Sequence, residues 1–272
     1  MKGKSGAAVK GRSANNYHEP GRHIIEPNLE SRGGAGARQV DNPFAVDRRP
    51  IYDAVKRGID IFLAVSILVI GAPVWIALGL AVRMTSPGPA IFHRTAVGRG
   101  GKPYQIYKFR TMEHEATDKR HLDWLREYVL ADRPFGLLHG RPIYKVFDDP
   151  RVTRLGAFLR RTSLDEVPQF LNVLKGEMSV VGPRPPIPDE FDLYNPFQRR
   201  RLAVRPGITG LYQVSARGAA PFSEVLAIDL DYIRRRSLRL DLKIMAMTPL
   251  IMLSGRGSGQ EAPKDSQPAF QK

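Results

Sequence analysis

The amino-acid sequence predicts an α+β protein that is mainly helical and carries a membrane anchor. Three observations support this. Residues 61–82 form an apolar run without a charged side chain, residues 91–112 hold two semi-alternating runs around a Gly-rich turn, and several later segments have helical periodicity. The chain of 272 residues is long enough for one large domain or two small ones.

The charge balance limits the partners that the protein can have. Lys and Arg number 42 against 27 Asp and Glu, which gives a formal net charge of +15. Such a charge favours anionic partners, namely nucleic acid, an anionic membrane surface or phosphorylated substrates. There is no cysteine, which excludes disulfides and thiolate chemistry and fits a reducing compartment.

Two terminal segments lack the pattern of a folded domain. Residues 1–47 are rich in Gly, Ser, Asn and Arg and have no hydrophobic periodicity, so we predict a disordered basic tail. This tail lacks the apolar core of a secretory signal. Residues 256–272 are predicted to form a second loose tail. Between the tails we expect an anchor over residues 48–90 and a larger domain over residues 91–255.

The apolar run is predicted to enter a membrane. Its 22 residues would form a helix about 33 Å long, against a hydrocarbon core of roughly 30 Å. No face of this helix is polar, which argues against a buried core helix. Pro73 lies at its midpoint, where a proline removes a backbone hydrogen bond.

Basic residues flank both ends of the apolar run, and short basic flanks belong on the cytoplasmic side. A helix over about residues 59–83 that breaks at Ala72–Pro73 and returns to the same face satisfies both flanks. A straight span remains an alternative, since many spanning helices contain proline. The flanking residues are Arg48, Arg49, Lys56 and Arg57 before the run and Arg83, Arg94, Arg99, Lys102 and Lys108 after it.

The remaining elements follow in chain order. Residues 91–112 predict a β-hairpin, and its Gly98–Lys102 segment predicts a turn because Pro103 stands where a Walker phosphate loop needs a hydroxyl residue. Further predictions are one or two charged helices in 113–147, a turn at 148–150, a helix over RVTRLGAFLRR, loops with short strands in 207–218, a basic helix over 226–236, and an interfacial segment at 244–253.

Two adjacent carboxylates, Asp165 and Glu166, open the helical run that ends at Gly176. A structural explanation is that Asp165 caps this helix, which would place Pro168 in the first turn and contribute about 1 kcal/mol. A chemical explanation is that the pair acts on a phosphate. Arg160 precedes the pair and Arg184 follows in a rigid Gly-Pro-Arg-Pro turn; arginines near a helix N-terminus bind anions, and carboxylates form acyl-phosphates. From the residues alone both explanations stay open.

Long blocks of the sequence resemble one known family. In order they read YKFRTM, DDPRVTRLG, FLRRTSLDEVPQFLNVLKGEMSVVGPRP, VRPGITGLYQVSARG and DLDYIRRRSLRLDLKIM. They are similar to the bacterial sugar transferases, the monotopic polyprenyl-phosphate sugar-1-phosphate transferases that initiate surface-polysaccharide assembly. The resemblance covers about residues 50–255.

The resemblance implies a reaction and a place. Family members move a sugar-1-phosphate from a UDP-sugar to undecaprenyl phosphate and release UMP, at the start of exopolysaccharide, capsule or O-antigen-type glycan assembly. By this resemblance the enzyme is held by a re-entrant helix–break–helix anchor in the bacterial inner (cytoplasmic) membrane. Its catalytic domain faces the cytoplasm and rests on interfacial amphipathic helices.

The resemblance also implies site residues. Asp165 would form a covalent phosphosugar intermediate with Glu166 as its partner, and Mg²⁺ would bind at Asp165. Arg160, Arg184 and Lys108 would bind phosphate. The family breaks its anchor at Ser-Pro, whereas this chain has Ala72-Pro73, so a serine hydroxyl for the freed backbone groups is missing. No motif identifies the sugar, although the insertion from Glu113 to Phe147 is more like that of members handling galactose or glucose than the shortest enzymes for N-acetylated sugars.

Isolated features of the sequence would fit other functions. Asp229-Leu-Asp231 approaches the DxDx[TV] motif of aspartyl-phosphate phosphatases, but Ile233 occupies its fifth position. The arginine runs at 199–201 and 234–236 could bind nucleic acid, although a solvated helical face or contact with anionic lipid explains them as well, and we expect no nucleic-acid partner. A membrane scaffold without catalysis is the main alternative, and it would not need a carboxylate pair ringed by arginines. The sequence is compatible with a homo-oligomer.

Overall fold

A computed structural model describes residues 42–113, 119–134, 136–138, 141–143, 151–215 and 220–253. Most of the predicted N-terminal tail, the whole C-terminal tail and the predicted turn at 148–150 lie outside these residues. The helices and strands are α1 (Pro50–Ile70), α2 (Ala72–Thr85), β1 (Ile91–Val97), β2 (Pro103–Phe109), α3 (Lys119–Ala131), β3 (Gly136–Leu138), β4 (Arg141–Ile143), α4 (Arg154–Thr162), α5 (Gln169–Lys175), β5 (Ser179–Val181), α6 (Pro188–Asp192), α7 (Pro196–Arg199), β6 (Gly207–Thr209), α8 (Leu211–Ser215), α9 (Phe222–Arg235) and α10 (Leu238–Leu253).

The apolar run forms two helices that meet at a sharp bend. α1 and α2 are bent by 66° across Gly71. Among the described residues no single helix is long and apolar enough to cross a membrane. The two helices of this bent pair, taken together, have the length and the apolar composition for it. The break lies at Gly71 rather than at Ala72–Pro73. Pro73 stands in the first turn of α2, where its missing N–H costs nothing.

An indole side chain packs into this bend. The Trp75 Nε1 donates to the carbonyl oxygen of Ile67 at 2.8 Å, and the Gly71 N–H donates to the same oxygen at 3.1 Å. A Cβ at position 71 would overlap the indole ring, so the bend requires glycine there. Trp75 thus provides a side-chain donor at a break that lacks the serine hydroxyl.

The first half of α1 is joined to later elements by polar contacts. Arg57 donates to the carbonyl oxygens of Val173 and Leu174 at 2.6 and 2.9 Å, which caps the C-terminal end of α5. The buried Asp60 accepts the Val180 N–H at 3.0 Å. The α1 helix therefore begins well before the apolar run and packs directly against α5 and β5.

The predicted hairpin is confirmed. β1 and β2 pair antiparallel with Phe92 opposite Lys108. Gly100 and Gly101 turn the chain with φ of 71° and 76°, so the Gly-rich segment is a turn, as its sequence predicts.

Two other segments differ from their predictions. Residues 113–147 contain α3 but also the antiparallel pair of β3 and β4, so the prediction of helices alone is incomplete. The segment 207–218 begins with β6, which pairs parallel with β5, and continues as the short helix α8 rather than as loop and strand. β3 and β4 are neighbours in sequence, whereas β6 depends on pairing with β5, which is distant in sequence.

The main hydrophobic core lies where the hairpin meets α5, β5, α9 and α10. Ala96 and Ile106 of the hairpin pack in one cluster with Val173, Val181 and Ile244. A second cluster joins Phe109 of β2 to Val82 of α2 and Leu159 of α4. β2 therefore contacts both the main core and the bent helix pair.

Candidate active site

The carboxylate pair lies on a short turn between two helices. α4 ends at Thr162, and Ser163 follows in the left-handed conformation with φ of 55°. Leu164–Glu166 then form one turn of 3₁₀-helix, and α5 begins only at Gln169. The left-handed residue ends α4 and precedes the turn that carries the pair.

The structural explanation, in which Asp165 caps the following helix, does not agree with the structure. Pro168 holds the N-cap position of α5 and makes no side-chain cap bond. The physical reason is that α5 starts four residues after Asp165, so a proline without an acceptor side chain occupies the capping position. The structural explanation for the pair thereby loses its main support.

Asp165 is buried, with 8% of its surface exposed. Burial raises the pKa of Asp165 to about 6; the positive charge of Lys108 opposes this shift, the Glu166 carboxylate adds to it, and Arg160 again opposes it. The site therefore holds a carboxylate with an elevated pKa within the electrostatic reach of two cations. Such a perturbed group is typical of functional sites.

The partners of Asp165 are held by the YKFRTM block and by α4. The Lys108 Nζ lies 2.6 Å from the Glu166 Oε1. The Arg160 Nε donates to the Thr111 Oγ1 at 2.8 Å. The structure thus brings four of the five predicted catalytic and phosphate-binding residues together: Lys108, Arg160, Asp165 and Glu166.

Arg184, the fifth residue, is the exposed member of the otherwise largely buried Gly-Pro-Arg-Pro turn after β5. Its positive charge acts on Tyr128 of α3 and Tyr212 of α8, where it opposes the rise in pKa that burial causes. These effects place the charge of Arg184 near α3 and α8. The backbone of its turn is tied to β6, since the Gly182 N–H donates to the Thr209 carbonyl oxygen at 2.9 Å.

Sequence reasoning missed the roles of Arg110 and Thr111. Arg110 donates to the carbonyl oxygens of Ser86 and Pro89, each at 2.6 Å, and so holds the chain that leaves α2. Thr111 holds Arg160. Both residues lie inside the YKFRTM block, which was the available signal. One short segment therefore attaches the carboxylate pair to the end of the bent helix pair.

The rival sites have structural explanations. Asp229 is 1% exposed and lies 2.6 Å from the Nη2 of buried Arg201, so it cannot reach a substrate as a phosphatase nucleophile would. Asp231 pairs with Arg234 and Arg235 on the surface of α9. Each arginine run also contributes one buried residue, Arg201 and Arg236 respectively, so neither run is a continuous solvated face.

The carboxylate pair carries oxygen atoms of the kind that bind Mg²⁺. Among the described residues no group of three or more His, Asp or Glu side chains could hold a metal alone. Mg²⁺ commonly uses one or two carboxylates together with substrate phosphates. Asp165 and its neighbour Glu166 fit that requirement, and a cation beside Asp165 would offset the cost of its burial.

A bent apolar helix pair and a carboxylate pair beside cations are the features expected of a bacterial sugar transferase. Comparison with known sequences agrees with this class. The sequence model of the bacterial sugar transferases matches residues 51–255, so the chain belongs to the bacterial sugar transferase family. That segment contains the bent helix pair and all the residues around Asp165.

Individual relatives are similar over the same region. The chain is 42% identical over 204 residues to the galactosyl transferase CpsE of Streptococcus agalactiae, covering 75% of this chain and 43% of the relative. It is 36% identical over 230 residues to the exopolysaccharide production protein ExoY of Rhizobium meliloti, covering 82% and 99%. It is 40% identical over 215 residues to the UDP-glucose:undecaprenyl-phosphate glucose-1-phosphate transferase of Escherichia coli, covering 73% and 42%. The chain thus spans less than half of two of these relatives and nearly all of ExoY.

Proposed function

We propose that this protein transfers a sugar-1-phosphate from a UDP-sugar to undecaprenyl phosphate and releases UMP. The observation that carries the proposal is Asp165, a buried carboxylate next to Glu166 with its pKa raised to about 6, on which the charges of Lys108 and Arg160 act. Relatives named as undecaprenyl-phosphate sugar phosphotransferases support the two substrates. The reaction would initiate exopolysaccharide, capsule or O-antigen-type glycan assembly.

The proposed reaction has two displacements at one phosphorus atom. The Asp165 carboxylate attacks the β-phosphorus of the UDP-sugar; a new O–P bond forms, and the bond to the bridging oxygen breaks with UMP as the leaving group. An oxygen of undecaprenyl phosphate then attacks the same phosphorus. The O–P bond to Asp165 breaks, and the carboxylate is regenerated while the lipid diphosphate sugar leaves.

Nearby cations would reduce the charge repulsion that opposes this reaction. A carboxylate approaching a diphosphate is repelled by the negative charge of the phosphate oxygens. Lys108 and Arg160, held by Glu166 and Thr111, would offset that charge as it develops in the transition state. Bound Mg²⁺ would supply further charge neutralisation, and Asp165 would hold it. Arg184 would contact the donor from the side of α3 and α8.

The lipid substrate explains the attachment of the site to the bent helices. The phosphate of undecaprenyl phosphate stays at the membrane surface, so the reacting carboxylate must lie at headgroup depth. The 66° bend and the basic residues on both flanks support a re-entrant anchor in the cytoplasmic leaflet of the bacterial inner membrane. Arg110 would then fix the site against the end of that anchor.

The covalent step can be tested directly. Protein with Mg²⁺ is incubated with UDP-sugar labelled in the β-phosphate, without lipid acceptor, and separated under denaturing conditions. We expect label on the wild-type protein, none on Asp165→Asn, and loss of the label when undecaprenyl phosphate is added. Asp231→Asn is the matched control, because Asp231 is a surface carboxylate outside the site, and this variant should retain the label.

Two outcomes would contradict the proposal. Normal labelling of Asp165→Asn would remove its nucleophile. Failure of every UDP-sugar in a panel of glucose, galactose and their N-acetylated forms to release UMP would favour a membrane scaffold instead. Within that panel we propose glucose or galactose, in accordance with the length of the 113–147 insertion and with the names of several relatives.

A further inference from the structure

One buried polar side chain outside the carboxylate pair bonds to the strand that carries Lys108. Asn172 of α5 is fully buried. Its Oδ1 accepts the Tyr107 N–H at 3.1 Å, and its Nδ2 donates to the Gln105 carbonyl oxygen at 2.6 Å. The same Nδ2 donates to the Glu177 Oε2 at 2.7 Å. Both donor hydrogens and the acceptor of the amide are therefore used.

These bonds occupy the edge of β2 that faces away from β1. Within the described residues β2 pairs only with β1. In an antiparallel strand the N–H and C=O of alternate residues point to the same edge, so Gln105 and Tyr107 both face the unpaired edge. One acceptor and one donor on the Asn172 amide meet these groups in the way that a peptide unit of a third strand would.

The position of this contact matters because Lys108 is the next residue along β2. Its Nζ lies 2.6 Å from Glu166, on the turn that leads into α5. A shift of one residue in a strand moves every side chain to the opposite face. A contact that fixes the backbone of Gln105 and Tyr107 against α5 therefore also fixes the face on which Lys108 meets the carboxylate pair.

We propose that Asn172 is a positioning residue for the transfer reaction, which sets the register of β2 against α5 and thereby places Lys108 at Glu166 and Asp165. The inference rests on the proposed function, because the position of Lys108 affects the rate only if Lys108 takes part in the transfer reaction. It adds a residue that touches no substrate and acts through the backbone of β2.

The test uses Asn172→Asp, which keeps the size of the side chain and the acceptor for Tyr107. It removes both donor bonds and places a carboxylate beside the Gln105 carbonyl and the Glu177 carboxylate. The variant is combined with Lys108→Met in a double-mutant cycle. The measured quantity is the single-turnover rate of protein labelling by UDP-sugar, taken at a temperature where circular dichroism shows each variant fully folded.

We expect Asn172→Asp to slow labelling at least about fivefold in the wild-type background and less than about twofold in the Lys108→Met background. Val173→Ala is the matched control, because this neighbour is equally buried in α5 but contacts the core through an apolar side chain. Its effect on the rate should be the same in both backgrounds.

A second measurement is independent of activity and uses Asn172→Leu, which removes the acceptor for the Tyr107 N–H. Hydrogen exchange at the Tyr107 amide should accelerate in Asn172→Leu and stay at the wild-type rate in Val173→Ala. If Asn172→Asp does not fold, Glu177→Ala takes its place; it frees one donor of the amide and should give a smaller loss that again depends on Lys108.

The outcomes separate this inference from the proposed function. Equal factors in the two backgrounds, or an unchanged Tyr107 amide, would overturn the positioning role and leave the reaction standing. A Lys108→Met variant with the wild-type labelling rate would instead remove Lys108 from the proposed mechanism.

Discussion

At the scale of single residues, the site holds two groups in unfavourable states. Asp165 is a carboxylate that has lost most of its hydration, and the raised pKa expresses that cost. Ser163, two residues earlier, has a positive φ of 55° without being glycine. Left-handed backbone costs an L-residue roughly 1–2 kcal/mol, and such strain is concentrated at functional sites. The turn that presents the carboxylates is therefore maintained by the packing around it.

The charge of Asp165 should make the protein less stable above its pKa. The pKa rises from 3.8 to about 6 on folding, so the folded state retains a proton that the unfolded chain has lost between these values, and stability falls as pH rises through this window. Asp165→Asn removes the effect. In a chelator, chemical denaturation at about pH 8 should show the variant more stable by on the order of 2–3 kcal/mol, and the difference should vanish below about pH 4. If the wild type and Asp165→Asn were equally stable at both pH values, burial of the Asp165 carboxylate would carry no cost.

Ser163 provides a backbone test of the same turn. Ser163→Gly removes the steric cost of the left-handed conformation, while Ser163→Val increases it because Val is branched at Cβ. We expect thermal melting to place the glycine variant at or above the wild type and the valine variant lower by more than about 1 kcal/mol. The opposite order would show that the conformation of Ser163 costs nothing.

At the scale of elements, the crossing of α4 over the end of β2 sets the distance from Arg160 to Thr111. Gly156 lies at this crossing, and a Cβ there would overlap the backbone of Thr111. A glycine within a helix normally costs about 1 kcal/mol relative to alanine. Here the close approach of two backbones explains why glycine occupies position 156. A larger residue would push α4 away from Thr111, and Arg160 of the same helix would no longer reach the Thr111 hydroxyl.

Gly156→Ala should therefore be destabilising even though it raises helix propensity. We expect a lower melting temperature and slower labelling by UDP-sugar, because α4 must move away from Thr111. Gly58→Ala in α1 is the matched control: a Cβ there meets nothing within 4 Å, so this variant should gain up to about 1 kcal/mol. A gain in both variants would show that the crossing tolerates a side chain.

The sequence predicts elements well where the determining contacts are local. The hairpin at 91–109 follows from alternation around glycines, and the break in the apolar run follows from Pro73 to within two residues. The explanation of Asp165 as a helix cap is wrong because a 3₁₀ turn precedes α5. Nothing local in the sequence shows that Ser163 adopts positive φ before this turn. The bonds from Thr111 to Arg160 and from Asn172 to β2 join segments 49 and 65–67 residues apart, so no periodicity reveals them.

At the scale of the whole molecule, a buried ionic cluster joins the segments behind the Gly-Pro-Arg-Pro turn. Arg201 lies between Asp229 at 2.6 Å and Glu190 at 3.6 Å, and it also donates to the Tyr194 hydroxyl at 2.7 Å. Its Nη2 further reaches the carbonyl oxygen of Arg184 at 3.4 Å. The cluster connects the chain around α6 and α7 to α9 and supports the backbone of a predicted phosphate-binding residue.

Removing one member should lower the stability of the whole fold. Asp229→Ala leaves Arg201 buried with one carboxylate fewer, and breaking a buried pair costs about 3–5 kcal/mol. Asp231→Asn, which disrupts only surface pairs, should change the free energy of unfolding by less than about 1 kcal/mol. Denaturant titration measures both. An Asp229→Ala variant of wild-type stability that cannot be labelled by UDP-sugar would instead return Asp229 to a catalytic role.

The proposed anchor predicts that both ends of the bent pair face the same side of the membrane. Ile51 and Met84 are 81% and 86% exposed, and the chain has no native cysteine, so single Ile51→Cys and Met84→Cys variants can be labelled selectively. In intact cells neither should react with a membrane-impermeant maleimide, and both should react after lysis. Labelling of one position from outside would favour a straight span.

The indole at the bend also gives the protein an intrinsic optical reporter. The chain has two tryptophans, and Trp124 stacks on Tyr128 in a separate aromatic cluster. In a Trp124→Phe background the fluorescence would come from Trp75 alone, whose Nε1 is bonded to a backbone carbonyl at the vertex of the two helices. Quenching by lipids brominated at successive acyl-chain carbons would then measure how deep that vertex lies. The contact that closes the bend would thereby record its depth without any attached dye.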